Sequence, residues 1–302
     1  MIDRRKFLAG MALLAAGCRP RMSGTTIGSK NFTEQLILGE LLAQYLEPVA
    51  AHGVVRRFYL AGTYICHQAL LAGRIDMYVE YTGTALAAVL KEKPFPDHEK
   101  VFDLVKSEYA RRFNLEVLPP LGFDNSFAIV MRGPDSRRLS VTKLSQLAPF
   151  ASRLRMGVGY EFLERPDGYR GLVARYGLNF AEAPRVMDLG LMYRALENQQ
   201  VDLIAAANTD GLIAARDLVV LEDDLHYFPP YDAVPIVRPE CLQTSPEVAG
   251  AMHRLTGRLS AQDMRRLNYA IDGEKKDVAV VVRDFLQEKK FFALRRTPSA
   301  RS

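Results

Sequence analysis

Short apolar runs alternate with amphipathic stretches along the chain from Thr25 onward. Residues 26–28 read as a strand. Asn31, followed three residues later by Glu34, has the spacing of an N-cap and capping box. Leu36, Ile37, Leu41, Leu42, Tyr45 and Leu46 then recur at helical intervals until Pro48 stops them. The pattern predicts a strand over 54–60, a helix over 64–72 closed by Gly73, and a strand over 75–79. A new helix begins after Thr82-Gly83-Thr84. Strand–helix–strand alternation implies a mostly parallel sheet covered by helices.

Residues 155–221 repeat that plan, with strands expected over 155–158, 201–206 and 218–221 and a helix over 168–176. Ala69-Leu70 precedes Ile75-Asp76 at the spacing at which Ala195-Leu196 precedes Val201-Asp202. The echo fits a strict duplication, or simply the likeness of any two such units. In either case two similar α/β lobes are indicated. The chain is expected to cross between them over 123–130 and 229–235. One lobe then comprises 25–124 and 232–302, the other 125–231. Residues 245–294 read as helical, starting at Ser245-Pro246-Glu247 and packing back on the first lobe.

The first residues follow a different pattern. Arg4-Arg5-Lys6 precedes an apolar run over 8–16, too short for the roughly 20 residues that span a bilayer. Residues 1–17 therefore read as a signal peptide. The paired arginines fit a twin-arginine export signal and also occur in general secretory signals. Ala15-Ala16-Gly17-Cys18 resembles a lipobox, with Cys18 as the lipidation site and 18–24 as a linker from the anchor. The expected location is outside the cytoplasm, periplasmic or at the cell surface, on a membrane anchor.

Composition adds mainly exclusions. The 302 residues carry 40 basic and 35 acidic side chains, a formal charge of +5 without a basic stripe, so nucleic acid is not an expected partner. Cys66 and Cys241 are the other cysteines, expected to be isolated packing thiols. His52, His67, His98, His226 and His253 are scattered, and neither metal-ligand spacing nor paired catalytic carboxylates appear. No enzyme, metal or cofactor is expected.

In open α/β sheets ligands bind beyond the carboxyl ends of strands, beside helix N-termini. Those ends carry Lys30, Tyr81-Thr82-Gly83-Thr84, Arg165 and Asn208, with Tyr231 at a crossing. Lys30 and Arg165 suit a carboxylate, and Thr84 offers a hydroxyl. Tyr81, Phe127 and Tyr231 offer ring faces to a cation. From the residues alone, the chain is a two-lobed binder of a small polar ligand.

Seven stretches, in order, carry a resemblance. They are Ile27-Gly-Ser-Lys-Asn-Phe-Thr-Glu-Gln35, the run from Ala69-Leu70 through Ile75-Asp76 to Glu80-Tyr-Thr-Gly-Thr84, and Gly122-Phe-Asp-Asn-Ser-Phe127. Asp167-Gly-Tyr169, Asn208-Thr-Asp-Gly211, Leu221-Glu-Asp-Asp224 and Phe228-Pro-Pro-Tyr231 follow. The chain thereby resembles the osmoprotectant family of ABC substrate-binding proteins, which take glycine betaine, choline, carnitine and relatives. The resemblance implies a two-lobed type II periplasmic-binding fold of mixed, mostly parallel sheets flanked by helices, closing like a hinged clam. It implies an aromatic cage at Tyr81, Phe127, Ala207 and Tyr231, carboxylate contacts from Lys30, Thr84 and Arg165, and a backbone contact at Asn125. Phe127 keeps a ring without a hydroxyl, whereas Ala207 has no ring, a gap that Asn208 or Tyr64 would have to fill. The expected ligand is a carboxylated quaternary ammonium, and the expected partners are a permease with its ATPase, the chain itself acting as a monomer. Alternatives left open are an amino-acid binder, a periplasmic enzyme on the same scaffold and a ligand sensor for a membrane receptor.

Overall fold

The computed structural model describes residues 24–291 apart from residue 166; the expected signal peptide and Cys18 lie outside the described residues. Two five-stranded sheets form the framework. In the first, β1 (Thr25–Gly28), β2 (Val54–Arg57), β3 (Met77–Tyr81), β4 (Glu116–Val117) and β10 (Ala233–Val237) run in the order β2-β1-β3-β10-β4. In the second, β5 (Phe127–Arg132), β6 (Met156–Val158), β7 (Arg185–Val186), β8 (Leu203–Ala207) and β9 (Leu218–Leu221) run β7-β6-β8-β5-β9. Each sheet has three parallel strands and one antiparallel strand, β10 or β5, inserted beside them and pairing outward with the last. These inserted strands arrive by the two expected crossings, which pair with each other at Asp124 and Asp232.

Period-two alternation buries both faces of each sheet, which requires helices on both sides. On β3, Met77 and Val79 enter the core beneath the helix Thr33–Leu46, whereas Tyr78 enters the opposite core with Val234 and Ile236. The second sheet divides likewise, with Ile129 and Met131 on one side and Ala128 and Val130 on the other. A fully buried Leu or Ile contributes about 1.5–3 kcal/mol, and Ile27, Ile37, Leu38, Leu41, Leu42 and Leu46 are all fully covered.

The echoed segments are one device used twice. The helix ends turn at residues of positive φ, Gly73 (64°) and Gln199 (57°). The carboxylate of Asp76 then accepts the Thr26 N–H at 2.9 Å, and that of Asp202 accepts the Arg155 N–H at the same distance. An arginine from the end of each inserted strand completes the pair, Arg238 with Asp76 and Arg132 with Asp202.

Three expectations change. The helix N-cap is Phe32, not Asn31, so Glu34 makes no capping box and turns inward. The second strand stops at Arg57, because Tyr59 takes a left-handed backbone (φ 60°) and the chain folds onto Ser29. The C-terminal region forms the helices Pro239–Thr244, Pro246–Leu255, Ala261–Asp272 and Val278–Glu288. Val278–Glu288 packs on Thr33–Leu46, but Ala261–Asp272 also packs against Gly211–Ala215 of the second sheet's layer, so the tail joins both lobes. Gly211 permits this: a Cβ there would stand 2.3 Å from the Tyr269 nitrogen.

Candidate functional site

The strand ends of both sheets converge on the crossing. Glu80 and Tyr81 end β3, which pairs with β10, so Tyr81 lies opposite Ala233 just beyond Tyr231 and Asp232. Gly83 lets the next turn approach: a Cβ there would meet the Pro230 oxygen at 2.6 Å and Tyr231 Cε1 at 2.9 Å. On the second sheet, Phe127 opens β5 and pairs with Ala207 at the end of β8. Opposed residues share a face, so the small Ala207 side chain leaves the flank of the Phe127 ring uncovered by an aromatic. Phe127 instead packs edge-on against Phe162, with centroids 4.9 Å apart, and near Phe228 and Tyr231.

Cations already face these rings. Lys30 Nζ stands 4.7 Å from the centroid of Tyr81, and the Arg165 guanidinium 5.2 Å from Phe127 and 5.6 Å from Tyr231. Both cations are also tied to acids that lie in the same strand-end segments and to which sequence reasoning gave no role. Lys30, almost wholly buried, forms an ion pair with the fully buried Glu80, which also accepts the Tyr81 N–H. Arg165 grips Asp167 with two parallel bonds of 2.9 and 2.8 Å.

Glu34 is the third acid and the least expected. It accepts the Tyr81 hydroxyl at 2.5 Å, Asn125 Nδ2 at 2.9 Å and Asn268 Nδ2 at 3.0 Å. Asn125 in turn accepts the Thr209 hydroxyl at 2.8 Å. Burial raises the Glu34 carboxyl above the usual range, only partly offset by bonds from Thr209, Tyr81 and Asn268 and by the charge of Lys30. Asp167 goes the other way. Burial pushes it up, but the bond and charge of Arg165 and the Tyr231 hydroxyl outweigh that and hold it below its ordinary value.

Lys30, Tyr81, Asn125, Phe127, Arg165, Ala207 and Tyr231 are thus joined by contacts through Glu34, Glu80, Asp167 and the paired strands. Thr84 sits half-buried at the end of the Thr82–Thr84 turn. The Asn125 backbone N–H is spent on the Tyr231 carbonyl at 3.1 Å, so its side chain does the bridging. Asn208 turns its amide to Arg265 and to the Asp124 carbonyl. Tyr64 is exposed and bonds the Ala88 carbonyl and Lys91. The polar groups of both are thus engaged by these partners. Gln35 was also missed: it is buried, and its amide has no partner of normal hydrogen-bond geometry among the described residues. The signal for all these acids and amides was their place inside the quoted motifs, not their spacing.

Three further groups have structural explanations. Cys66 and Cys241 are buried and form no disulfide among the described residues, and burial pushes the Cys66 thiol up to about 12, far from a nucleophile's range. His98 Nδ1 and the carboxylates of Asp124 and Asp232 lie within 4.8 Å of one another. However, Asp124 accepts the Ser126 and Tyr231 N–H groups, and Asp232 pairs with His98 at 2.8 Å, so the cluster fastens the crossing. A cavity of about 460 Å³ opens beside it, bordered by Phe127, Asn208, Phe228 and Pro230 but not by Lys30, Tyr81, Arg165 or Tyr231.

Among solved structures, one described as a glycine betaine/carnitine/choline ABC transporter superposes with a TM-score of 0.84 at 33% identity, covering 89% of this chain and 99% of its own. The glycine-betaine-binding protein of Pseudomonas aeruginosa is 34% identical over 292 residues, 93% of this chain and 92% of that one. The carnitine transport binding protein OpuCC of Listeria monocytogenes is 31% identical over 94% of each chain. The ergothioneine transport permease/binding protein EgtU of Helicobacter pylori is 33% identical over 86% of this chain but only 47% of its own length. Such binding proteins are extracytoplasmic transport components rather than a class of enzyme, and no helix among the described residues is long and apolar enough to cross a membrane. With the model for the substrate binding domain of ABC-type glycine betaine transport systems matching residues 25–288, the chain belongs to that family of two-lobed ABC substrate-binding proteins.

Proposed function

We propose that the chain captures a small carboxylated quaternary-ammonium compound between lobes 25–124/232–302 and 125–231 and presents it, as a monomeric lipoprotein anchored through Cys18, to an ABC permease and its ATPase. The observation that carries this reading is the set of three rings, Tyr81, Phe127 and Tyr231, each already facing a cation, Lys30 or Arg165. An ammonium among them gains roughly 0.5–2 kcal/mol per ring, most when desolvated. Arg165, Thr84 and Lys30 meet the carboxylate end. Because Asp167 and Glu80 hold the two cations, each shares its N–H groups between an internal acid and the ligand. Asn125 and Asn208 brace the second lobe. The small Ala207 favours a betaine bulkier than glycine betaine, in keeping with the carnitine and ergothioneine named for two relatives.

Mass spectrometry of co-purified ligand, followed by calorimetry against glycine betaine, carnitine, choline and amino acids, tests the reading. Tyr231→Ala should weaken betaine binding about tenfold or more. Arg165→Ala should weaken glycine betaine far more than choline. Equal losses would remove the carboxylate role, and preference for an amino acid would replace the ligand class.

A further inference from the structure

The two tyrosines of the site share a construction that the phenylalanine lacks. Tyr81 gives its O–H to the buried Glu34 at 2.5 Å while Lys30 faces its ring. Tyr231 gives its O–H to the buried Asp167 at 2.5 Å while Arg165 faces its ring and, unlike Lys30 at Tyr81, also donates Nη2 to the hydroxyl oxygen, which offsets part of the effect of Asp167 there. Glu34 comes from the first lobe and Asp167 from the second, so the arrangement arises twice from unrelated segments. Both acids are nearly inaccessible, and each is held by further donors: Asn125 and Asn268 for Glu34, Arg165 for Asp167.

A hydrogen bond from a phenol to a carboxylate is short and strong. It draws the proton toward the acid and leaves the oxygen, and through it the ring, richer in electrons. A cation over a ring is attracted by the negative face of the ring quadrupole, and that attraction grows in a dry, weakly polarisable site. The bond also fixes the ring's rotation, so its face need not be ordered when ligand enters. Resting on the cage reading above, we propose that Glu34 and Asp167 are positioning residues that charge the faces of Tyr81 and Tyr231, giving two rings the selectivity for a positive head that the ringless Ala207 does not supply.

The test compares glycine betaine with tert-butylacetate, which keeps the carboxylate and the shape of the head but carries no positive charge. Calorimetry on the full chain gives the ratio of the two affinities, in which any common loss of fold, closure or carboxylate binding cancels. Glu34→Gln and Asp167→Asn should each lower that ratio about fivefold or more. Tyr81→Phe removes only the bond and keeps the ring; it should reproduce the Glu34→Gln ratio even if the latter variant folds poorly. Glu34→Gln added to Tyr81→Phe should then lower the ratio no further. Affinities that fall together with the ratio unchanged would reduce both acids to structural roles and overturn the inference while leaving the ligand class intact. Wild-type protein that binds neither glycine betaine, carnitine nor choline would overturn the ligand class and the inference with it.

Discussion

Arg265 offers the sharpest test of how the lobes are joined. It lies on Ala261–Asp272, between the first lobe and the second sheet's layer, and its fork closes on Asn208 just beyond β8. Nε bonds the Asn208 carbonyl and Nη2 the Asn208 Oδ1, each at 2.6 Å. Hydrogen bonds to a charged group contribute about 1.5–3 kcal/mol each. Arg265→Ala loses both bonds and should cost about 3–5 kcal/mol, the lower part of the summed range because water reaches the half-buried carbonyl. Asn208→Ala keeps the backbone bond and loses one charged bond plus the long contact to the Asp124 carbonyl, and should cost about 1.5–2.5 kcal/mol. In the Arg265→Ala background the same Asn208→Ala change should cost almost nothing, since its main partner is already gone. Urea unfolding of the four proteins closes the cycle. A coupling energy within about 0.3 kcal/mol of zero would refute the clamp. So would an Asn208→Ala variant as damaging as Arg265→Ala.

Other outcomes follow from single contacts. Ala207→Tyr should tighten glycine betaine about tenfold by adding a ring beside Phe127 while weakening bulkier betaines; calorimetry showing no gain would place Ala207 outside the cage. Gly83→Ala sets a Cβ 2.6 Å from the Pro230 oxygen and 2.9 Å from the Tyr231 ring; it should cost about 1–3 kcal/mol in thermal melts and displace Tyr231, so unchanged stability and affinity would contradict that approach. His98 is raised above the ordinary 6.5 by its bond to Asp232. Its contribution is therefore complete below pH 6.5 and lost as pH rises through the raised value, and His98→Asn should flatten that slope in pH-dependent melts. The half-exposed pair should contribute no more than about 1 kcal/mol.

The framework was legible because it is written in local periodicity. Apolar runs, helix stops at Pro48 and Gly73 and the repeated Ala-Leu…Asp segment each carry their structure within a dozen residues. Where the reading failed, a backbone detail decided. Residues 54–60 look continuous as a strand, yet a left-handed Tyr59 turns Leu60 onto the Ser29 carbonyl. Asn31 and Glu34 have capping-box spacing, but the helix begins one residue later and its first acid is used elsewhere. The rings of the candidate site could be proposed from sequence because strand ends are predictable. Its acids were not, since the partners of Glu34 lie 47, 91 and 234 residues away. No local pattern separates such a residue from a solvated acid at a helix start.

Those acids also change the electrostatic argument. On sequence, Lys30 and Arg165 looked like two positive charges awaiting a carboxylate. In the folded chain Glu80 neutralises one and Asp167 the other, so the cleft offers paired charges and polarised donors rather than a positive field. Transferring an ion into such a site is costly unless its charge is met there. A zwitterion brings no net charge. In the proposed binding mode its carboxylate would share the donors that already serve Asp167, and its ammonium would meet rings whose hydroxyls lean on Glu34 and Asp167. A simple anion finds no unneutralised cation among these pairs, and a simple cation leaves the donors of Arg165 with nothing new to hold. On this reasoning selectivity for a betaine resides in donors and rings that are already set against internal carboxylates, Arg165 and Tyr231 beside Asp167 and Tyr81 beside Glu34, rather than in any single charged side chain.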